Sequence, residues 1–411
     1  MKKMKKISLP LIATILCFLF FSTPIIYPDS YVVAPLLLAL FGLFLLPKTY
    51  HAFKNRDVKY ISLSMVGYFI LTIISFLYSG GETSQLDMPS RTVLASFILC
   101  FLVTYKPNPA PLFLAAPIGA AIAGFISFYH SFYIGGCAFV GTFGYMPIQI
   151  GGIIASLATF SVISFFYYRK TEQKNFAVFS FVAANLGYIA TLLSGARGAW
   201  LLTPFVLLIV LYLNKELINK KIVGYALLAA IIDLSIASAQ ITSRLDAIQS
   251  DLTQYSAEQS ASSSGARLEM WKSALYSAQE SPLFGQGFSG IEAAKQRQLD
   301  AGLIDPIALK YSRAHNQYLE DLQTKGIFGL SVLLIMFAVP FAFFKRNLKQ
   351  YINDSDKDTH YFLALMGASH VALVAGYALT QHYLSHHSGI LFFAVGIAIL
   401  SALVINQRKP S

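Results

Sequence analysis

Apolar residues fall in long blocks along this chain, separated by short polar breaks. The blocks are too continuous to be the stripes of amphipathic helices on a soluble core. They run from the start of the chain to about Tyr27, then at roughly 31–47, 60–78, 91–105, 110–128, 147–168, 176–193, 200–213, 221–240, 326–344, 360–380 and 388–406. The shortest, at about 14–17 residues, need tilt or polar end turns to cross. This pattern predicts an all-α polytopic membrane protein with about twelve transmembrane helices and both ends on one side. The first block, after MKKMKK, reads as a span rather than a signal peptide: it is about 20 residues long, lacks a small-x-small cleavage site, and many more spans follow.

One segment breaks the rhythm. Residues 241–325 hold 18 of the 51 Lys, Arg, Asp and Glu residues, eight basic and ten acidic. The chain thus divides into nine spans in 1–240, a large loop in 241–325 and three spans in 326–411. Within the loop the spacing predicts a helix over about 265–280, with Ser264 as N-cap, Leu268, Trp271 and Leu275 on its apolar face and Pro282 as its stop. A second helix is expected over about 290–301, before Gly302. A third is expected to start near His315, with Leu319 and Leu322 on the same face, and to run to Gly326 and the next span. Residues 256–265, SAEQSASSSG, have the composition of a flexible loop.

Composition sharpens the class. The chain is 55% hydrophobic and 12% charged, against about 25% charged in soluble domains. A net charge of +11 in a soluble protein would point to nucleic acid. Here the excess lies in alternate short breaks, so no nucleic-acid partner is implied. Counting from the N-terminus, the breaks on one side hold 21 Lys and Arg residues, while the short breaks on the other hold Arg91 and Arg197. Positive residues mark the cytoplasmic side, so 241–325 faces outward, into the periplasm of a bacterial inner membrane. Cys17 and Cys100 lie in apolar blocks and Cys137 in a loop, with no disulfide framework or metal spacing.

Against this frame a few residues stand out. Arg197, in SGARGAW (194–200), sits in a very short break, where an arginine close to hydrocarbon is a functional candidate or an interfacial anchor. Ser-Gly-Ala-Arg recurs at 264–267, so Arg267 repeats the local grammar on the same side. Each arginine lies at or near a helix start, which suits an anion, and a guanidinium fork matches phosphate oxygens. Alone, Arg267 would read as a surface ion-pairing residue; the doubled motif favours a shared phosphate site. His315, in RAHNQYLEDL (313–322), has the side chain for proton removal near neutral pH, with Arg313, Asn316 and Tyr318 beside it. The bland alternative is a helix-start histidine that only hydrogen-bonds. Arg91 is a third outward cation or a helix anchor. His382, His386 and His387 share an outward loop; His382 and His386 are four apart, as zinc ligands can be, but no carboxylate or cysteine accompanies them, so substrate hydrogen bonding or an interfacial role is the stronger expectation and no metal is assigned. Asp233, inside the ninth block, calls for a polar partner.

Taken together, SGARGAW (194–200), SSSGARLEMWKSAL (262–275) with PLFGQGF (282–288), and HNQYLEDLQTKGIFG (315–329) resemble the bacterial O-antigen ligases, in the family that also contains O-antigen polymerases and protein O-oligosaccharyltransferases. The resemblance covers the whole layout, including the large outward loop before the final three spans. It implies a GT-C-like membrane fold and transfer of a polysaccharide from undecaprenyl pyrophosphate to lipid A-core, inverting, without metal or other cofactor. His315 then matches the family's base, and Arg197 and Arg267 its phosphate contacts; the histidines at 382–387 are not part of the carried pattern. An O-antigen polymerase, with a second lipid-linked glycan as acceptor, is the nearest alternative. A transporter or flippase of lipid-linked sugars is the alternative from another class.

Overall fold

The computed structural model of this chain describes residues 8–139, 147–243, 245–246, 249, 263–351 and 358–408. Twelve helices coincide with the twelve apolar blocks: α1 Leu9–Ser22, α2 Ser30–Phe44, α3 Arg56–Ser79, α4 Asp87–Tyr105, α5 Leu112–Tyr129, α6 Pro147–Lys170, α7 Lys174–Leu193, α8 Arg197–Leu213, α9 Lys220–Ile236, then α12 Gln317–Tyr351, α13 Asp358–Tyr377 and α14 His387–Asn406. Between α9 and α12 lie α10 Ser263–Glu280 and α11 Gly287–Asp300. No strand occurs among the described residues. Among the described residues, eight helices are long and apolar enough to cross a membrane: α3 to α7 and α12 to α14. The chain is therefore a polytopic membrane protein. α2 makes a ninth only together with Leu46–Lys54, across a bend of 71°. There Leu45 leaves helical geometry and Pro47, in the first turn of the next helix, cannot extend the hydrogen-bond ladder back through the break. The block expected to run straight to residue 47 thus turns three residues early. α1, at 14 residues, and α8, at 17, are shorter apolar helices.

The middle of the bundle is α14, buried along its length, and α6, buried nearly so. α6 packs on α5, α7, α8 and α13, and α14 on α4 and α13. Without water to drive apolar faces together, membrane helices gain from close van der Waals approach, which small residues permit. Gly187 of α7 shows this: a Cβ there would stand 2.9 Å from the Cβ of Ala158 in α6. The outer helices show large apolar side chains to their surroundings. In α9, Tyr225, Leu227, Leu228 and Ile231 are exposed, and Asp233 is the buried residue. Asp233 lines an apolar cavity of about 340 Å³ among α6 to α9, and Asn185 and Tyr188 line the same cavity.

Contacts at the two bundle ends follow the alternation read from the charges. At one end, Asp57 at the start of α3 pairs with Arg346 near the end of α12 and with Arg408 beyond α14, each at 2.6 Å. His360 near the start of α13 meets Asn347 of α12 at 3.1 Å. At the other end, the carbonyl of Ser79 closing α3 accepts from Ser289 of α11, and the carbonyl of Ala378 after α13 accepts from Gln317 opening α12.

The segment before α12 departs from expectation in two ways. Ser264 is the second residue of α10, not its cap. Leu268 and Leu275 are exposed, at 44% and 50%. The buried face of α10 is Ala266, Met270, Ser273, Ala274 and Ser277, because the helix sits on α11 through hydrogen bonds: Ser273 Oγ donates to Gln298 Oε1 at 2.6 Å, and Gln298 Nε2 to Ser277 Oγ at 3.0 Å. The third expected helix matches: α12 starts two residues after His315 and is broken at Gly326, whose φ of +63° suits glycine, before it continues as the next long helix. The 282–286 loop stacks on that break, with Ile327 N–H donating to Pro282 O and Gln286 N–H to Gln323 O, both at 2.8 Å. This seats the outer segment on a membrane helix. Most of the 256–265 stretch read as flexible lies outside the described residues.

Candidate active site

His315 stands in the turn between a 3₁₀ helix, Pro306–Lys310, and α12. The turn is held from several elements. Asp305 Oδ1 accepts from Ile307 N–H at 2.8 Å, and Glu269 of α10 accepts from Asp305 N–H at 2.9 Å. Trp271 Nε1 donates to Ala314 O at 2.9 Å. Asn316 Oδ1 accepts from Tyr318 N–H and Leu319 N–H, capping α12. Lys295 of α11 is buried and donates to Ala308 O and Tyr311 O, fastening the preceding stretch.

Within this frame His315 takes φ +49°. A left-handed backbone on a non-glycine residue is uncommon, and persists where neighbouring bonds over-determine it. Glu320 supplies much of that constraint. Its side chain is 4% exposed, yet it accepts from Arg313 Nη1 at 2.8 Å, Ala314 N–H at 2.9 Å and Gln323 Nε2 at 2.9 Å. One turn on, Asp321 is buried against Lys325, with Tyr68 of α3 donating to it at 3.1 Å and Gln317 Nε2 at 2.7 Å. A buried ion pair needs such extra donors to be tolerated.

The ring of His315 points into a group of polar side chains from the loop between α13 and α14. Its Nδ1 lies 2.7 Å from Gln381 Oε1. Its centroid lies 5.0 Å from that of His382, nearly perpendicular, and His382 lies 4.6 Å from His386. Burial pulls His315 below the ordinary histidine range; Arg267 and Lys295 push the same way, while Gln381 and Glu320 oppose them. Burial likewise lowers His382 to about 2 and His386 to about 4, helped by the neighbouring imidazoles and Arg313. All three rings are therefore neutral at pH 7, the state a proton acceptor requires.

The structure brings most of the sequence candidates to this end of the bundle. Arg267, on the second turn of α10, acts electrostatically on His315. Arg197 is the first residue of α8, after Gly195 at φ +69°. Its neighbour Gly198 packs directly on the side chain of Thr380, next to Gln381, so the Arg197 turn abuts the same loop. Arg313 pairs with Glu320, and Asn316 serves as the α12 cap. Tyr318 turns away, donating to Ala375 O of α13 at 2.7 Å. Arg91 is held by Asp87 at 2.6 Å, and its field reaches His387, which lies 3.4 Å from Tyr31 Oη. Among the described residues no group of three His, Cys, Asp or Glu side chains is arranged to hold a metal ion. Sequence reasoning missed Gln381, Lys295 and the Tyr68–Asp321–Lys325 group. An isolated glutamine in a histidine-rich loop, or a lysine in an amphipathic helix, carries no signal until the partner brought by the fold is known.

A helical bundle with eight apolar helices long enough to cross a membrane, and with neutral histidines and arginines gathered at one end, defines a polytopic membrane protein. The model of the O-antigen ligase family matches residues 182–334, a stretch that contains Arg197, Arg267 and His315. A Haemophilus influenzae protein described as uncharacterized is 32% identical over 386 residues, covering 91% of this chain and 94% of its own. The chain belongs to the O-antigen ligase family.

Proposed function

We propose that this protein is a glycosyltransferase that moves O-antigen polysaccharide from undecaprenyl pyrophosphate onto lipid A-core, at the periplasmic face of the bacterial inner membrane. The observation that carries the reading is the neutral, backbone-constrained His315 within electrostatic reach of Arg267 and beside the loop against which the Arg197 turn packs. The imidazole takes the proton of an acceptor hydroxyl. The oxygen attacks the anomeric carbon of the donor, the bond from that carbon to the phosphate oxygen breaks, and the electron pair leaves with the pyrophosphate, inverting the centre. Arg197 and Arg267 balance the charge that grows on the leaving group. This reading has 241–325 outside, between nine spans in 1–240 and three in 326–411. A cysteine placed at Ser260, in a chain freed of Cys17, Cys100 and Cys137, is then labelled without permeabilising the inner membrane; labelling only after permeabilisation contradicts this topology.

The test is transfer in vitro with purified protein and lipid-linked glycan. Lipid A-core as acceptor yields the ligated product and free undecaprenyl pyrophosphate. Elongation of a second lipid-linked glycan instead identifies a polymerase. Movement of intact donor across a vesicle membrane, without a new glycosidic bond, overturns the enzymatic reading.

A further inference from the structure

The loop between α13 and α14 holds a buried side chain that bridges two imidazoles. Gln381 is 2% exposed. Its Oε1 lies 2.7 Å from His315 Nδ1, and its Nε2 lies 3.3 Å from His386 Nε2. A primary amide has direction: the oxygen accepts and the nitrogen donates. Facing Oε1, the Nδ1 of His315 must carry the proton. In a neutral ring the lone pair then sits on Nε2. Facing the amide nitrogen, Nε2 of His386 must accept.

We infer that Gln381 is a positioning residue that holds neutral His315 as its Nδ1–H tautomer and leaves Nε2 as the atom that takes the acceptor's proton. The catalytic half of this inference rests on the reading of His315 as base. The loop that carries the amide is anchored on both flanks. Gln317 N–H donates to Ala378 O at 2.8 Å and its side chain accepts from Leu384 N–H at 2.9 Å, so the start of α12 clamps both flanks of the loop. Thr380, next in sequence, is wedged on Gly198 of α8.

An amide suits the place better than a carboxylate. The charged and titratable groups around His315 are Arg267 from α10, Lys295 from α11, Tyr311, Arg313 and Glu320 along its own turn and α12, and His382 and His386 from the loop. A carboxylate on Nδ1 would stabilise the imidazolium and keep the ring protonated to higher pH. The amide orients the ring and adds no charge, so burial can keep it neutral.

The test uses the full-length protein in nanodiscs with ¹⁵N-labelled histidine, because the nitrogen shifts of Nδ1–H and Nε2–H rings differ. His315→Ala identifies the signal. The wild type is expected to show His315 as Nδ1–H, and Gln381→Met to show a mixture. A wild-type Nε2–H ring, or a Gln381→Met ring unchanged from wild type, overturns the inference. In transfer assays Gln381→Met should lower kcat by roughly ten- to a hundredfold, the usual range for a lost orienting partner, with KM little changed. Gln381→Glu keeps an acceptor on Nδ1, so it should keep the tautomer and move the acid limb of the pH profile to higher pH. An unmoved limb counts against the contact even if Gln381→Met folds poorly. Wild-type transfer by His315→Ala would remove the base assignment and the catalytic half of the inference, while the nitrogen shifts still decide the geometric half.

Discussion

The two ends of the bundle use the same residue types differently. At the Asp57 end one carboxylate takes two guanidinium groups, Arg346 and Arg408, at 2.6 Å each. These contacts join α3, α12 and the tail of α14 into a rivet of opposite charges. At the His315 end, Glu320 is already saturated by Arg313, Ala314 N–H and Gln323, and the histidines are kept uncharged by burial and by cations. Both ends pair charges internally, but only the His315 end also gathers three neutral rings, within the field of Arg267 and Arg313. An arginine at a membrane face is therefore neither structural nor functional by type; its neighbours decide.

The comparison breaks most sharply at His315. His315→Ala should lower transfer by roughly two to four orders of magnitude, as for loss of a general base, with donor binding preserved. Because the working form is the neutral ring and its pKa is lowered, wild-type activity should hold through neutral pH and fall only in acid, below the usual histidine range. Near-normal turnover by the purified variant would reduce His315 to a structural residue and erase the contrast between the ends.

Next come the arginines. Arg197→Ala and Arg267→Ala should each raise the barrier by roughly 2–4 kcal/mol, with lysine restoring part of the loss because it keeps charge without the fork. Full activity of Arg267→Ala at normal membrane abundance would assign it to a surface contact instead.

A smaller effect concerns stability. His382 and His386 have lowered folded pKa values, about 2 and about 4, against about 6.5 unfolded. Below pH 6.5 the unfolded chain binds protons that the folded one refuses. Their contribution is thus complete above that pH and shrinks as pH falls towards the folded values, by at most about 1.4 kcal/mol per pH unit for each ring. Melting temperatures between pH 7.5 and 5 should show this decline, and the double variant His382→Gln with His386→Gln should flatten it. An equally steep decline in the double variant would place the acid sensitivity elsewhere.

The smallest effect belongs to the rivet. Asp57→Asn should cost about 1 kcal/mol or less, since Arg346 and Arg408 are partly solvated, and turnover per folded molecule should not change. A fall in kcat as large as that of Arg267→Ala would mean the ends are coupled.

Hydropathy alone found a helix at each apolar block, and most of their ends to within a few residues, because a segment in lipid must satisfy its own backbone and so declares itself as a continuous apolar run. The block at 326–344 is the exception, its helix running from Gln317 to Tyr351, and eight of these helices are long and apolar enough to cross a membrane. Charge alternation likewise anticipated which helix ends meet. Arg197, Arg267 and His315 stood out as candidates because each is a polar residue expected near a membrane face or in a doubled motif, and the structure places Arg267 within electrostatic reach of His315. Other features were decided by tertiary packing. The inward face of α10 is small and polar because it meets α11 through Ser273, Ser277 and Gln298, so Leu268 and Leu275 point outward against the pattern of apolar spacing. The bend after Leu45, the left-handed backbone of His315 and the amide bridge from Gln381 are likewise absent from any local pattern. Gln381 and His315 are 66 positions apart, and their hydrogen bond exists only because α12 and α13 pack side by side. Local sequence determines what a segment can bury; which side chain then meets an imidazole depends on contacts between segments that no short-range periodicity encodes.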